Sequence, residues 1–225
     1  MGTFGGPDII TNGLVFLTDA ASARSYPGSG NTWYDLSGNN YDLTLTNGPV
    51  WNSAGYFVND ADSYFTGAGG SNLPQGNDSY TMVVWARQPS AAWGASSGLI
   101  TIGGFGTTNG SNALRTNAGV LGQLRHYWWG NDLALQNNAA GIIAGDWFQA
   151  AASFDGTTRR IWVNGVSRAS DTPTGHNVTS TAIQVSRAYT SEYQEGDMAV
   201  ACIYDRALSS AEMLQNYNAL KNRFI

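Results

Sequence analysis

Residues 124–129, Leu-Arg-His-Tyr-Trp-Trp, form the densest run of ligand-recognising side chains in this 225-residue chain. In an extended strand Arg125, Tyr127 and Trp129 share one face, and His126 and Trp128 share the other, because successive side chains alternate. One set belongs to the core. The other, if exposed, makes an aromatic platform with an arginine beside it. Ring faces accept the C–H face of a sugar, and a guanidinium binds hydroxyls or carboxylates. An exposed apolar patch would also suit a protein contact, and packing of both faces in the core is the plain alternative. Trp93 sits in a Gly/Ala/Ser loop too polar to be core and is the next candidate contact.

Other constellations carry less. Gly94-Ala95-Ser96-Ser97-Gly98 fits a nucleophile-elbow pattern, but that motif needs a strand before it, a helix after it and a histidine in reach. Pro89-Ser90-Ala91-Ala92 precedes it, no helical pattern follows, and the chain has two histidines, His126 and His176. Two histidines also argue against a metal cluster. Glu192, Glu195 and Asp197 cluster, with Glu195 and Asp197 on one strand face. Glycoside hydrolysis needs two carboxylates flanking the bond, about 5 Å apart in retaining enzymes. A solvated loop entering a strand accounts for the same residues. Asp60 and Asp62 lie at a loop tip and are candidate calcium ligands, since Ca²⁺ takes six to eight oxygens from carboxylates and carbonyls. The one cysteine, Cys202, lies in an apolar run and reads as a buried small hydrophobe.

The elements that position these residues are strands. Asp155-Gly156 and Asn164-Gly165 are hairpin signals flanking Arg160–Val163, so residues 147–169 read as a three-strand antiparallel meander. Asn47-Gly48 is a third. Tyr80–Arg87 is apolar on both faces and reads as an inner strand covered on both sides. Further strands are expected over 13–20, 41–46, 55–59, 63–66, 99–103, 120–129, 131–136, 180–187 and 198–204. Around Asp35, which can accept backbone N–H groups, a turn is expected. Only after Ser209 or Ser210, a helix cap, does a helical period appear, carrying Met213, Leu214, Tyr217 and Leu220.

Some twelve strands and one short C-terminal helix predict an all-β, two-sheet antiparallel jelly-roll sandwich, with residues 1–12 an irregular arm and 13–225 one domain. With 28 glycines, eight tryptophans and 12% charged residues, the composition suits short strands and tight turns. The net charge is −5 and Lys221 is the single lysine, so no basic stripe exists for nucleic acid. The N-terminus has neither the basic start nor the apolar core of a secretory signal, and no stretch reads as a membrane span.

The sequence resembles the laminin-G-like or concanavalin A-like lectin and glucanase jelly rolls, in the form abundant among bacteriophage structural proteins. The residues that carry the resemblance are Asn12–Val15 with Asp19-Ala20, Ser25–Gly30, Thr32–Asn39 and Leu45–Pro49. They continue with Trp162–Gly165, Gly196–Ala199, Ile203–Ser209, Asn216–Ala219 and Arg223-Phe224. Residues 90–140 match little. Two positions depart from the pattern: Val200 stands where a glutamate is usual, and Asn59-Asp60-Ala61-Asp62-Ser63 replaces an Asp-Gly-x-Asp-Asp motif. Glucanases of this fold carry a Glu-x-Asp-x-Glu arrangement, which the 192–197 spacing does not reproduce. Laminin-G-like relatives often hold calcium. The resemblance therefore implies a non-catalytic virion structural protein, a capsid- or tail-attached surface decoration or adhesion module. Its expected partners are other virion proteins and a cell-surface glycan, with oligomerisation open. A stand-alone, extracellular carbohydrate-binding lectin is the alternative and a glycoside hydrolase the weaker one. Neither nucleic acid nor membrane insertion is expected, and no cofactor is required beyond a structural Ca²⁺.

Overall fold

The computed structural model describes residues 7–60, 62–88, 97–116 and 122–225. In chain order the strands are β1 (Leu14–Asp19), β2 (Thr32–Trp33), β3 (Leu43–Thr46), β4 (Val50–Asn52), β5 (Tyr56–Asn59) and β6 (Tyr64–Ala68). There follow β7 (Tyr80–Arg87), β8 (Gly98–Gly103), β9 (Ser111–Thr116), β10 (Leu124–Tyr127), β11 (Asp132–Leu135) and β12 (Trp147–Phe154). The last are β13 (Arg159–Val163), β14 (Val166–Asp171), β15 (Ala182–Val185), β16 (Arg187–Ala188), β17 (Glu192–Tyr193) and β18 (Gly196–Tyr204). The chain then enters helix α1 (Ser210–Leu220).

Two eight-stranded antiparallel sheets result. The first runs β14-β13-β12-β7-β18-β5-β4 with β1 beside β18, and the second runs β11-β10-β9-β8-β15-β6-β3-β2. The β16–β17 hairpin stands apart from both. The expected two-sheet sandwich with one C-terminal helix is what forms, and the 147–169 meander is β12-β13-β14. Its turn works as the residue types dictate: Asn164 and Gly165 have φ of 52° and 75°, as Asn47 and Gly48 have 58° and 76°. At 164–165 that pair of left-handed residues is the type I′ turn of the β13–β14 hairpin, whose twist matches the strands it joins. Asn47-Gly48, expected as a hairpin, instead carries the chain from β3 in the second sheet to β4 in the first, which do not pair. Asp35 holds its turn by accepting the N–H groups of Leu17, Ser37 and Tyr41.

Between the sheets lies the main core, where Phe16, Trp33, Phe57, Phe65, Tyr80, Val84, Val163 and Ile203 are buried. Strand β7 is covered twice. Tyr80, Met82, Val84 and Ala86 face this core, while Val83 and Trp85 face outward and are buried under the C-terminal segment. Trp85 stacks on Tyr217 at 5.7 Å and on Phe224 at 4.6 Å. Ser209 caps α1 in a reciprocal capping box with Glu212, and Arg206 grips both Glu212 oxygens. The pairing and the backbone N–H of Ser209 hold the Glu212 carboxyl down at about 2.

Two further expectations need correction. Leu214 does not dock, being 46% exposed; Met213 is the fully buried anchor, with Asn216 beside it. Asn216 joins Met213, Tyr217 and Leu220 on the inward face of α1 and bonds the Tyr204 hydroxyl and the Ile10 N–H. Residues 7–12 are irregular, as expected, and are tied to the sandwich: Tyr204 Oη donates to the Ile10 carbonyl and Arg206 Nε to the Asn12 carbonyl. And the strand expected over 120–129 is regular only over Leu124–Tyr127, which places Trp129 in the following turn.

Candidate aromatic binding face

Strands β9, β10 and β11 end the second sheet. In register, Arg125 stands opposite Arg115 and Ala134, and Tyr127 opposite Ala113 and Asp132. The alternation read from the sequence holds. His126 and Trp128 are fully buried, and Arg125, Tyr127 and Trp129 are half-exposed on the solvent face.

After Trp128 the chain reverses through Trp129 and Gly130, whose φ values are 58° and 74°, with Trp128 N–H bonded to the Asn131 carbonyl. This is the same left-handed pair seen at Asn47-Gly48 and Asn164-Gly165, with tryptophan where the chain elsewhere puts asparagine. A bulky side chain in that region is strained, by about 1–3 kcal/mol for a residue so held. Tyr189, at φ 55°, is strained in the same way.

These two residues meet. Trp129 lies 5.5 Å from Tyr189, and Phe105, from the glycine-rich loop after β8, lies 5.7 Å from Trp129, 5.4 Å from Tyr189 and 6.2 Å from Tyr127. Tyr127 closes the set at 6.0 Å from Trp129. Four rings thus form one surface, and Tyr189 is exposed. Arg115 lies 4.5 Å over the Tyr127 ring and pairs with Glu192 at 2.8 Å; Arg125 pairs with Asp132 at 3.1 Å. Burial raises the Glu192 and Asp132 carboxyls, opposed by their arginines. Further along the face Arg187 stacks 3.7 Å over Tyr64.

The spacing argument located Arg125, Tyr127 and Trp129 but missed Phe105, Tyr189 and Arg115. Gly-Gly-Phe-Gly at 103–106 was a usable signal, an aromatic stranded among glycines. Tyr189 had none, because only the fold brings 187–193 over the sheet. Trp93 lies outside the described residues, as does most of the 94–98 motif.

Two of the three clustered carboxylates are engaged by arginines. Asp197 binds Arg87 at 2.5 Å, Glu192 binds Arg115, and Glu195 is exposed. At the acidic tip, Asp62 accepts from Asn47 Nδ2, and the Asp60 carbonyl accepts the Ser63 hydroxyl. Among the described residues no group of three metal-ligating side chains forms. Cys202 is buried, its thiol pushed up to about 12. A cleft of about 590 Å³ beside α1 is lined by Arg87, Trp147, Tyr217 and Phe224. Its rings serve packing, since Tyr217 and Phe224 stack on Trp85. Among the described residues no helix is long and apolar enough to cross a membrane.

Residues 59–213, more than half of the chain, match the family described as the concanavalin A-like lectin/glucanases superfamily. The chain belongs to that superfamily. No curated protein matches it. As a superfamily fold it is similar to the binding domain of Paraclostridial Mosquitocidal Protein 1, at 16% identity and a TM-score of 0.68, covering 94% of this chain and 53% of that one. The botulinum neurotoxin serotype D binding domain follows at 12% and 0.66, covering 92% and 52%. Trypanosoma rangeli sialidase, in complex with sialic acid, matches at 14% and 0.67, covering 94% and 34%. These likenesses concern fold alone. The chain spans about half the length of either binding domain and a third of the sialidase.

Proposed function

We propose that this protein is a non-catalytic carbohydrate-binding adhesion module whose ligand lies on the face made by Phe105, Tyr127, Trp129 and Tyr189. One observation carries the reading. Two of the four rings, Trp129 and Tyr189, sit on left-handed backbone that their side chains disfavour, and both converge on one partly exposed surface. Strain of that kind persists where function holds it. A platform of rings bordered by arginines suits a saccharide, whose C–H faces cover the rings while hydroxyls reach the guanidinium edges. The lectin-like superfamily and the binding domains among its structural relatives support this. Glycan-array binding by the wild type that Trp129→Ala loses is the test; an array with no ligand sinks it.

The bacteriophage form of the sequence resemblance supports placing the module on a virion surface, on capsid or tail. Proteomics of purified particles decides that. The absence of catalysis rests on the separate engagements of Glu192 and Asp197. Turnover of a glycan that Glu195→Gln abolishes would overturn it. Function requires no cofactor in this reading; a structural Ca²⁺ at Asp60 and Asp62 is checked by melting with and without the ion.

A further inference from the structure

Both histidines of the chain lie in one buried cluster directly behind the aromatic face. His176 belongs to the irregular crossover 172–181, which carries the chain from β14 in the first sheet to β15 in the second. Its ring stacks on Trp128 at 4.0 Å, and its Nε2 bonds Asn112 Oδ1 at 2.6 Å. Its Nδ1 is buried with no hydrogen-bond partner. A neutral ring satisfies this slot, donating from Nε2 and leaving a lone pair at Nδ1. A charged ring would put a second N–H where nothing accepts it.

The surroundings are already cationic. Arg159, fully buried, lies 4.4 Å over Trp128 from β13. Its charge is met by Asp171 of β14 at 2.6 Å, and Asp78, before β7, is the carboxylate acting on His176. Tyr80 of β7 and His126 of β10 complete the set. Tyr80 Oη takes the Trp128 indole N–H at 2.8 Å and stands 2.5 Å from His126 Nε2. Burial first, then Arg159, pulls His176 down to about 4 and His126 well below the ordinary range.

The crossover is wired to the face. Asn177 N–H bonds the Asn109 carbonyl at 3.1 Å, and Asn109 N–H bonds the Trp129 carbonyl at 3.2 Å. Asn109 closes the same loop that holds up Phe105.

We propose that His176 is an acid-sensitive latch: its protonation expels the ring from between Trp128 and Asn112, frees the crossover from Asn109, and disassembles the Phe105–Trp129 part of the aromatic face. A ligand bound at neutral pH is then released on acidification, a consequence that rests on the glycan reading above.

Hydrogen exchange of the free, full chain between pH 7 and 4, corrected for intrinsic rates, tests the latch without any ligand. Opening of 104–110 and 172–178 should rise about tenfold per pH unit below about 6.5, the slope set by one bound proton. Strands β7 and β18 should stay protected. The rise should vanish in His176→Gln and in His176→Phe, which keeps a ring in the slot, and persist in His126→Gln. A rise spread across the whole chain, or one that both His176 variants retain, overturns the latch. For release, array-identified glycan should bind about twofold more weakly at pH 4 than at 7 in the wild type alone, since about half of His176 is protonated at pH 4; equal affinity at both overturns that part. Local opening in a protein that binds no glycan at either pH leaves the latch standing and removes the glycan reading instead.

Discussion

At Trp129 recognition and stability pull in opposite directions. Asparagine fits φ 58° and forms the equivalent turns at 47 and 164. Trp129→Asn should therefore melt at the same temperature as the wild type or higher, the relieved strain of about 1 kcal/mol or more offsetting lost ring contacts. Both Trp129→Asn and Trp129→Ala should weaken glycan binding by about 2 kcal/mol or more, the scale of an aromatic hot spot. Calorimetric titration reads the second effect and scanning calorimetry the first. A clear fall in melting temperature with binding intact would make Trp129 a packing residue. Phe105→Ala and Tyr189→Ala should share the binding loss, since each touches the Trp129 ring.

Among the elements, α1 shows where sequence periodicity reaches its limit. Met213→Ala should cost about 2–5 kcal/mol, the usual range for an emptied core site. Leu214→Ser, at a surface position, should stay within about 0.5 kcal/mol. Denaturant titration separates the two, and equal losses would mean the helix docks by the face first expected. Helical spacing alone admitted Met213, Leu214, Tyr217 and Leu220 as one stripe; Leu214 falls outside it and Asn216 joins it through the bond to Tyr204, between residues whose pairing no local pattern announces. The strands were more legible. Asn-Gly pairs fix turns through backbone chemistry, and the 124–128 alternation separates core from surface because a sheet leaves only two directions. Trp129 hid its turn, since tryptophan is not a turn former. Phe105 and Tyr189 join it only through the crossover and the β16–β17 hairpin, contacts set by topology.

For the whole molecule, the two buried histidines set a pH dependence. Their folded values lie below the ordinary 6.5, so the stability they contribute is complete above that pH and lost as pH falls toward 4. Melting temperature should be flat from about pH 7 upward to 8 and drop below about 6.5, with up to about 1.4 kcal/mol lost per pH unit for each histidine that must charge. Calorimetry across pH checks this, and a maximum near pH 5 would contradict it. Calcium should move the melting temperature by about 1 °C at most, because a weakly held ion adds little to the folded state. A large, chelator-reversible shift would show that the 60–62 tip assembles more ligands than the two carboxylates.

Residues 7–12 and α1 pack together on the outer side of the first sheet, with Gln215 bonded to the Asp8 carbonyl. The four rings lie on the outer side of the second. Anything joined near either of these segments is thereby held behind the sandwich, and the rings point away from it. Copies tethered side by side on one support would all face the same way, so a polymeric glycan could engage several at once. Each contact after the first would then form at the high local concentration that the shared support imposes, multiplying a weak single-site affinity by roughly 10²–10⁴ with no new contact.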